Sequence, residues 1–234
     1  MECPPKRRWP TVFVTGTDTG VGKTHVTAGL LRAARQARLD VCGYKPVASG
    51  CRRSAHGLRN DDALSLQAAA ASAEPYADIN PYAFAPAIAP HLAAAAAGVA
   101  IERSVLNRTY AGLADRHDWI LVEGAGGWQV PLGPDWNYAD WVTEQGWPVI
   151  LVVGMRLGCI NHALLSAESI MRRTRLLGWI ANELPPRQAE LDANVTALRQ
   201  RLPAPLLARV KPGRRRLDGA LREIFAELCE RQRR

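Results

Sequence analysis

The sequence has few cysteines, no long apolar run and no leader-like start. Its five cysteines form no CxxC pair and show no metal-ligand spacing with the five histidines. Such an odd, scattered set is typical of free thiols in a reducing compartment. The longest strongly apolar run is too short to cross a bilayer, and residues 1–8 lack the apolar segment of a signal peptide. We therefore expect a cytoplasmic protein with no membrane partner.

Aromatic residues are also scarce, and this limits what the positive charge can mean. The net charge is +8, while aromatic residues make up only 6% of the chain. The densest basic cluster, residues 214–216, lies far from any aromatic-rich stretch that could stack bases. We therefore expect no nucleic-acid partner. The charge indicates either a solvated basic surface or a preference for an anionic small substrate.

The stretch TVFVTGTDTGVGKT, residues 11–24, predicts a strand, a glycine-rich loop and a helix start. Glycines let backbone N–H groups turn toward phosphate oxygens, and a helix start directs its positive end at them. Lys23 can reach the β- and γ-phosphates, and the Thr24 hydroxyl can bind Mg²⁺. Five residues separate Gly16 from Gly22, one more than usual. The alternative is a plain strand–helix turn. The loop residues expected to contact ATP are Thr19, Gly20, Val21, Gly22, Lys23 and Thr24.

Strands and helices alternate along the chain, with 47% hydrophobic residues to form a core. The predicted strands are 11–14, 41–44, 119–122, 148–153, 178–181 and 206–210. The predicted helices are 24–39, 62–71, 92–97, 104–116, 161–177, 187–201 and 217–231, with a loop at 45–61 and an irregular segment at 75–90. We expect one α/β domain over residues 1–234, a P-loop NTPase-like, doubly wound, mostly parallel sheet with helices on both faces. Residues 1–9 and 230–234 are expected to be loose.

Three further motifs lie near the ends of predicted strands, where ligands bind in such folds. Lys45 follows the second strand, either as a point charge or as a solvated lysine. Asp61 and Asp62 could supply a Mg²⁺ ligand, or could belong to a helix N-cap together with Asn60. Glu123 ends a buried apolar strand, where a carboxylate is costly unless paired or bound to metal, so we favour a second Mg²⁺ ligand.

The chain resembles the dethiobiotin synthetases. The segments VTGTDTGVGKT, GYKPVASG, GLRNDDAL, VEGAGG, LVVGMRLGCINHALL and GWIAN occur in that family's order and spacing. The resemblance covers residues 11–182 and extends weakly to about 207. It implies a homodimer that uses MgATP to join CO₂ to 7,8-diaminononanoate. The expected route runs through a carbamate and a carbamic–phosphoric anhydride to the cyclic urea of dethiobiotin.

The resemblance also implies roles for individual residues. Lys23 and Lys45 match the catalytic lysines at the phosphates and the carbamate, and Ser49 matches a substrate contact. The implied Mg²⁺ ligands are Thr24, Asp62 and Glu123. Further implied ATP contacts are Asp62, Glu123, Gly124, Ala125, Gly126, Asn182 and Glu183, with Asn182 at the adenine. The implied substrate-carboxylate site, reached across the dimer interface, is Gly158, Cys159, Ile160 and Asn161, with Cys159 acting through its backbone N–H.

Two departures from the family pattern concern the nucleotide base. Glu183 stands where aspartate is common, and a basic stretch at 208–216 replaces an acidic loop that contains Pro-Trp. Rival families with this fold are ATPases that partition DNA or position division sites, and glutamine-fed cobalamin-pathway synthases. The ATPases carry a lysine where this chain has Asp18. The synthases need a second domain with a nucleophilic cysteine, for which the chain has no room.

Overall fold

The computed structural model describes residues 9–230. In chain order, its strands are β1 (Val12–Gly16), β2 (Val41–Tyr44), β3 (Val47–Ala48), β4 (Arg52–Ser54), β5 (Gly57–Arg59), β6 (Tyr82–Ala83), β7 (Trp119–Glu123), β8 (Val149–Met155), β9 (Leu176–Glu183) and β10 (Leu206–Val210). Its helices are α1 (Lys23–Gln36), α2 (Asp61–Ala70), α3 (Tyr76–Ile79), α4 (Pro90–Ala96), α5 (Arg103–Arg116), α6 (Tyr138–Gln145), α7 (Cys159–Met171), α8 (Leu191–Arg201) and α9 (Asp218–Glu230).

Six of these strands form one parallel sheet in the order β10-β9-β8-β1-β7-β2. Side chains on successive strand positions point to opposite faces, so a strand buried on both faces is apolar throughout. In β1, Val12 and Val14 join the core beneath α1 and α9, whereas Phe13 joins the core beneath α5, α6 and α7. All of β8 is buried. The predicted doubly wound α/β fold is confirmed.

The register of the central strands brings their carboxyl ends together. Val14 of β1 lies beside Glu123, the last residue of β7, and Gly16 at the end of β1 lies beside Val152 of β8. Tyr44, which ends β2, pairs with Val122 of β7. The segments that follow β1, β2 and β7 therefore leave the sheet at one edge.

Several predicted elements are wrong in detail. The helix predicted at 161–177 begins earlier and ends at Met171, because Leu176 and Leu177 belong to β9, which pairs with β8. Leu177 is buried in the core that α9 covers, and Leu176 is buried on the opposite face of the sheet. The helix predicted at 187–201 begins only at Leu191, after Glu190 with a positive φ of 53°. The last turn of the helix predicted at 24–39 is likewise absent, since Arg38 has φ 61°.

Two segments predicted to lack regular structure contain some. The loop predicted at 45–61 holds β3 and the antiparallel hairpin of β4 and β5, whose turn closes at Gly57 with φ 91°. The irregular segment predicted at 75–90 holds α3 and β6, and β6 pairs in parallel with β3. Helix α6 was not predicted, although Asn137 and Asp140 form a capping box at its start.

The expected loose termini lie outside the described residues, apart from Trp9 and Glu230. The Trp9 ring stacks on Phe225, with ring centroids 4.2 Å apart. Its backbone N–H donates to the carbonyl oxygen of Asp118 over 2.8 Å. Over residues 9–230, no helix combines the length and the hydropathy that a bilayer span requires.

Candidate active site

A cleft of about 700 Å³ opens where the carboxyl ends of β1, β2 and β7 meet. The phosphate-loop motif forms one side of this cleft, and the segments after β2 and β7 and the start of α2 form the rest. An apolar wall completes it, made of residues 87–90, Val130 and Pro131. The predicted site residues that line the cleft are Thr19, Gly20, Gly22, Lys23, Thr24, Lys45, Ser49, Asp62, Ala125 and Gly126.

The phosphate loop folds tightly over the end of β1. A Cβ atom on Gly16 would lie 2.5 Å from a methyl group of Val21, which is fully buried beneath the loop. Gly22 has φ 88°, and a Cβ atom there would lie 2.1 Å from the side-chain nitrogen of Asn182. Both glycines are therefore required by close approach and backbone conformation. No side chain of the described residues caps α1, so its first N–H groups remain available to an anion.

Lys23 begins α1 and is buried beside the loop. Its ammonium donates to the carbonyl oxygen of Asp18 over 3.0 Å, an internal contact that a phosphate oxygen could replace. Burial, followed by repulsion from Lys45, lowers the pKa of Lys23 to about 8. A buried cation with weak pairing is well suited to receive an anion.

Lys45 lies at the centre of the site. It is 3% exposed, and its Nζ atom lies 2.7 Å from Glu123 Oε1 and 3.3 Å from Asp62 Oδ2. It also donates to the carbonyl oxygen of Gly124 over 3.0 Å. Burial alone would lower the pKa of Lys45, but attraction by the two carboxylates outweighs burial and places it above its ordinary value. The interpretation of Lys45 as a solvated lysine is therefore wrong.

The two neighbouring acids after the hairpin differ in role. Asp61 pairs with Arg52 on the surface, and both side chains are more than two-thirds exposed. Asp62 turns inward to Lys45. Burial alone would raise the pKa of Asp62, but the nearby Lys45 ammonium holds it below its ordinary value. The N-cap of α2 is Asn60, whose side-chain oxygen accepts the backbone N–H groups of Asp62 and Ala63.

The oxygen atoms around Lys45 fit a Mg²⁺ ion. Glu123 is fully buried; its Oε1 atom accepts the Thr24 hydroxyl over 2.8 Å, whereas its Oε2 atom has no hydrogen-bond partner. The Asp62 side chain is about half exposed, at 47%, toward the cleft. Within residues 9–230 no cluster of three His, Cys, Asp or Glu side chains could bind a metal alone. Two carboxylates and one hydroxyl suit Mg²⁺, which takes further ligands from phosphate and water.

The backbone of the turn after β7 lies close to neighbouring groups, which only glycine allows. A Cβ atom on Gly124 would lie 2.8 Å from the Phe13 ring, and Gly126 has φ 67°. Ala125 and Gly126 line the cleft. The backbone of this turn therefore faces the space where a ligand would lie.

Asn182 and Glu183 end β9 and are already engaged. The Asn182 Nδ2 atom donates to the carbonyl oxygen of Val21 over 2.9 Å, so this side chain supports the phosphate loop. The Glu183 carboxylate accepts Arg209 Nε over 2.6 Å, and Arg209 also pairs with Asp192. Neither residue lines the cleft.

The start of α7 lies apart from the cleft of its own chain. Gly158 has φ 91° and no side chain of the described residues caps this helix. Asn161 is exposed, and Cys159 is buried, which raises the pKa of its thiol. The preceding Arg156 pairs with Asp18 of the phosphate loop. The Cys159 N–H already donates to the Arg156 carbonyl oxygen over 3.0 Å, so an anion at this helix start would bind the N–H groups that follow Cys159, and the buried thiol is not placed to react.

Sequence reasoning missed Tyr76 and Asn80, which contact the site from outside the sheet. The Asn80 side chain donates to the Lys45 carbonyl oxygen over 2.7 Å and accepts the Tyr76 hydroxyl over 2.9 Å. It is 2% exposed. A polar pair four residues apart in a proline-rich segment carries no motif that would have revealed it.

Comparison with known proteins agrees with the geometry. A family model described as AAA domain matches residues 10–217. The ATP-dependent dethiobiotin synthetase of Pseudomonas paraeruginosa is 54% identical over 203 residues, which cover 86% of this chain and 89% of that protein. The ATP-dependent dethiobiotin synthetase BioD 1 of Escherichia coli is 48% identical over 199 residues, which cover 85% of this chain and 88% of that protein.

Two solved structures share the fold at low sequence identity. A ParA family ATPase from Chlorobium tepidum has a TM-score of 0.53 at 15% identity and covers 97% of this chain and 94% of its own. The cell division protein FtsY of Thermotoga maritima has a TM-score of 0.53 at 14% identity and covers 95% of this chain and 70% of its own. These two likenesses concern the fold alone. The chain belongs to the ATP-dependent dethiobiotin synthetase family.

Proposed function

We propose that this enzyme is a ligase that carboxylates 7,8-diaminononanoate with CO₂ and closes the cyclic urea of dethiobiotin, converting ATP to ADP and phosphate. The observation that carries this proposal is the buried Lys45, paired with Glu123 and Asp62 within reach of a phosphate loop. A cation fixed in this way is suited to a reaction in which several negative charges meet. Family membership supports the same activity.

The reaction needs no nucleophile from the protein. One substrate amine attacks CO₂, forms a C–N bond and loses a proton to give a carbamate. A carbamate oxygen then attacks the γ-phosphorus, and the bond to ADP breaks. The second amine attacks the carbamate carbon, phosphate leaves, and the amine gives up its proton. Lys23 and Lys45 bind and orient the anions in these steps, and the N–H groups of the phosphate loop hold the phosphates.

Thr24, Asp62 and Glu123 would hold Mg²⁺, which when bound would neutralise phosphate charge. The Glu123 Oε2 atom, buried without a partner, supports this assignment. Asn182 and Glu183 are proposed to lie near the adenine. Because Asn182 also binds the loop carbonyl of Val21, any contact with the base comes in addition to a structural role.

The substrate carboxylate is proposed to bind the start of α7 of a partner subunit in a homodimer. The substrate's carboxylate is separated from its amines by an aliphatic chain, so the two ends need separate sites. The apolar wall of the cleft, which includes Ile88, suits the aliphatic chain. Leu157, beside the α7 start, is 94% exposed, and Leu165 on α7 is 59% exposed, as expected for a surface that a second subunit covers. The buried thiols of Cys42, Cys51 and Cys159, none in a disulfide, fit the proposed cytoplasmic location.

Phosphate release tests the proposed reaction. Wild-type protein receives ATP, Mg²⁺, bicarbonate and the diamine, and each component is left out in turn. Release should require all four, and mass spectrometry should detect dethiobiotin. Phosphate release that does not depend on the diamine but increases when DNA is added would instead support a partition-type ATPase.

The shared site predicts complementation between two inactive variants. Lys45→Ala removes the central cation, and Asn161→Pro removes one N–H donor from the start of α7. Each homodimer should be nearly inactive. In a mixed dimer, one site carries both lesions and the other carries none, so activity should recover to about half of wild type. Light scattering and tag-based purification establish that mixed dimers are present. If such dimers stay inactive, each subunit holds a complete site.

A further inference from the structure

A ring of hydrogen bonds joins the backbone of Lys45 to the start of α2. It runs from the Lys45 carbonyl to Asn80 Nδ2 (2.7 Å), from Asn80 Oδ1 to the Tyr76 hydroxyl (2.9 Å), from the Tyr76 oxygen to the Asn60 N–H (2.7 Å), and from Asn60 Oδ1 to the Asp62 N–H (3.1 Å). The ion pair between Asp62 and Lys45 Nζ, at 3.3 Å, closes it. We call these five residues the Lys45–Asp62 ring.

The direction of every hydrogen bond in this ring is fixed. The Asn80 amide faces two acceptors, the carbonyl oxygens of Lys45 and Tyr82, so its nitrogen must point at them. The Asn80 oxygen can then only accept, and the Tyr76 hydroxyl must donate to it. With its one proton used, the Tyr76 oxygen accepts from the Asn60 N–H. No member can rotate to an alternative pairing without leaving a partner unsatisfied.

Burial makes these bonds hard to replace with water. Asn80 is 2% exposed and Asn60 is 8% exposed, and the Tyr76 ring is covered by the Arg59 guanidinium 4.2 Å from its centroid. Removing the Tyr76 hydroxyl would leave a mostly buried N–H group at Asn60 and a buried oxygen at Asn80 without partners. The protein would then have to shift the start of α2, the segment around Asn80, or both.

We infer that Tyr76 and Asn80 are positioning residues that hold Lys45 and Asp62 at their pairing distance for the reaction. Neither residue touches the reacting atoms; each acts through Asn60 or through the Lys45 backbone. The inference rests on the proposed function for its kinetic consequence. The structural consequence is independent of turnover.

The test compares Tyr76→Phe with Tyr110→Phe. Tyr110 also loses a hydroxyl hydrogen bond, to Thr11 over 2.8 Å, but it lies outside the ring and the cleft. Tyr76→Phe should lower kcat roughly tenfold, as expected when a supporting contact of a site is removed. Tyr110→Phe should leave kcat within twofold of wild type. Asn80→Asp breaks the ring at another bond and should repeat the loss if Tyr76→Phe folds poorly.

A double-mutant cycle separates positioning from a general structural effect. If Tyr76 acts through Asp62, Tyr76→Phe should cost much less than tenfold in an Asp62→Asn background. Equal losses in both backgrounds, or a kcat for Tyr76→Phe within twofold of wild type, would overturn the inference.

Amide hydrogen exchange of the ligand-free protein gives a readout that needs no activity. The Asn60 and Asp62 amides should exchange at least about tenfold faster in Tyr76→Phe than in wild type, and no faster in Tyr110→Phe. Unchanged exchange at both amides would show that the ring does not hold the start of α2. If the wild-type protein makes no dethiobiotin but the amide exchange rates change as expected, the proposed function is wrong, while the role of the Lys45–Asp62 ring in holding the start of α2 is supported.

Discussion

Replacing Lys45 by methionine would leave the buried carboxylate of Glu123 without its cation. The two charged atoms lie 2.7 Å apart, and their side chains are 3% and 0% exposed. At an effective dielectric constant of about 20, this separation corresponds to a gross attraction of about 6 kcal/mol. Desolvation of the ammonium, which methionine avoids, offsets part of this. Loss of one partner from a buried ion pair typically lowers the free energy of unfolding by about 3–5 kcal/mol. Because Glu123 keeps its hydrogen bond from the Thr24 hydroxyl, we expect a loss at the lower limit, about 3 kcal/mol.

Urea unfolding of the ligand-free protein measures this loss. The midpoint should fall while the dependence of the unfolding free energy on urea stays unchanged. Adding Glu123→Gln to Lys45→Met removes the unpaired charge, so the double variant should recover at least about 1 kcal/mol. The reasoning fails if Lys45→Met unfolds at the wild-type urea concentration. It also fails if the second substitution destabilises the protein further.

Four single substitutions test the ligand contacts. Lys23→Ala should abolish turnover and weaken ATP binding in calorimetry, and near-normal turnover would exclude this loop as the ATP site. Asp62→Asn and Glu123→Gln should each shift the Mg²⁺ titration of turnover to higher concentration, and unchanged titrations for both would reject the metal assignment. Asn182→Ala should weaken binding of ATP and of base-free tripolyphosphate alike, because its amide holds Val21; weakening of ATP alone would mean that Asn182 acts mainly on the adenine.

The gathering of Lys23, Lys45 and Glu123 at one edge was predictable from the sequence. Each follows or ends an apolar strand, and in a parallel sheet the carboxyl ends of neighbouring strands meet. The residue types alone did not separate the roles of the two acids after the hairpin, and only the family resemblance singled out Asp62. Asp61 and Asp62 are the first two residues of α2 after its Asn60 N-cap, and in the folded chain Asp62 faces Lys45 whereas Asp61 faces Arg52.

In β9 and α6, tertiary contacts rather than the local sequence pattern decide the secondary structure. Leu176 and Leu177 continue the apolar periodicity of the preceding helix, yet they belong to the sheet because β9 pairs with β8. Helix α6 carries the Asn137–Asp140 capping box, but it follows a segment rich in glycine and proline that masks its start. Its Trp141 is fully buried in the core beneath β7 and β8, a contact that no local signal encodes.

The position of Lys45 at the end of β2 explains why a segment outside the sheet is needed to hold it. β2 is an edge strand with β7 as its one neighbour in the six-stranded sheet, whereas Glu123 ends a strand flanked by β1 and β2. Beyond Tyr44 the backbone therefore lacks a strand on its free side. The segment after α2 supplies the missing partners, since the Lys45 N–H donates to the Ile79 carbonyl over 2.9 Å and the Lys45 carbonyl accepts from Asn80. Substitutions in α3 should consequently shift the backbone of Lys45 while leaving the backbone of Glu123 in place.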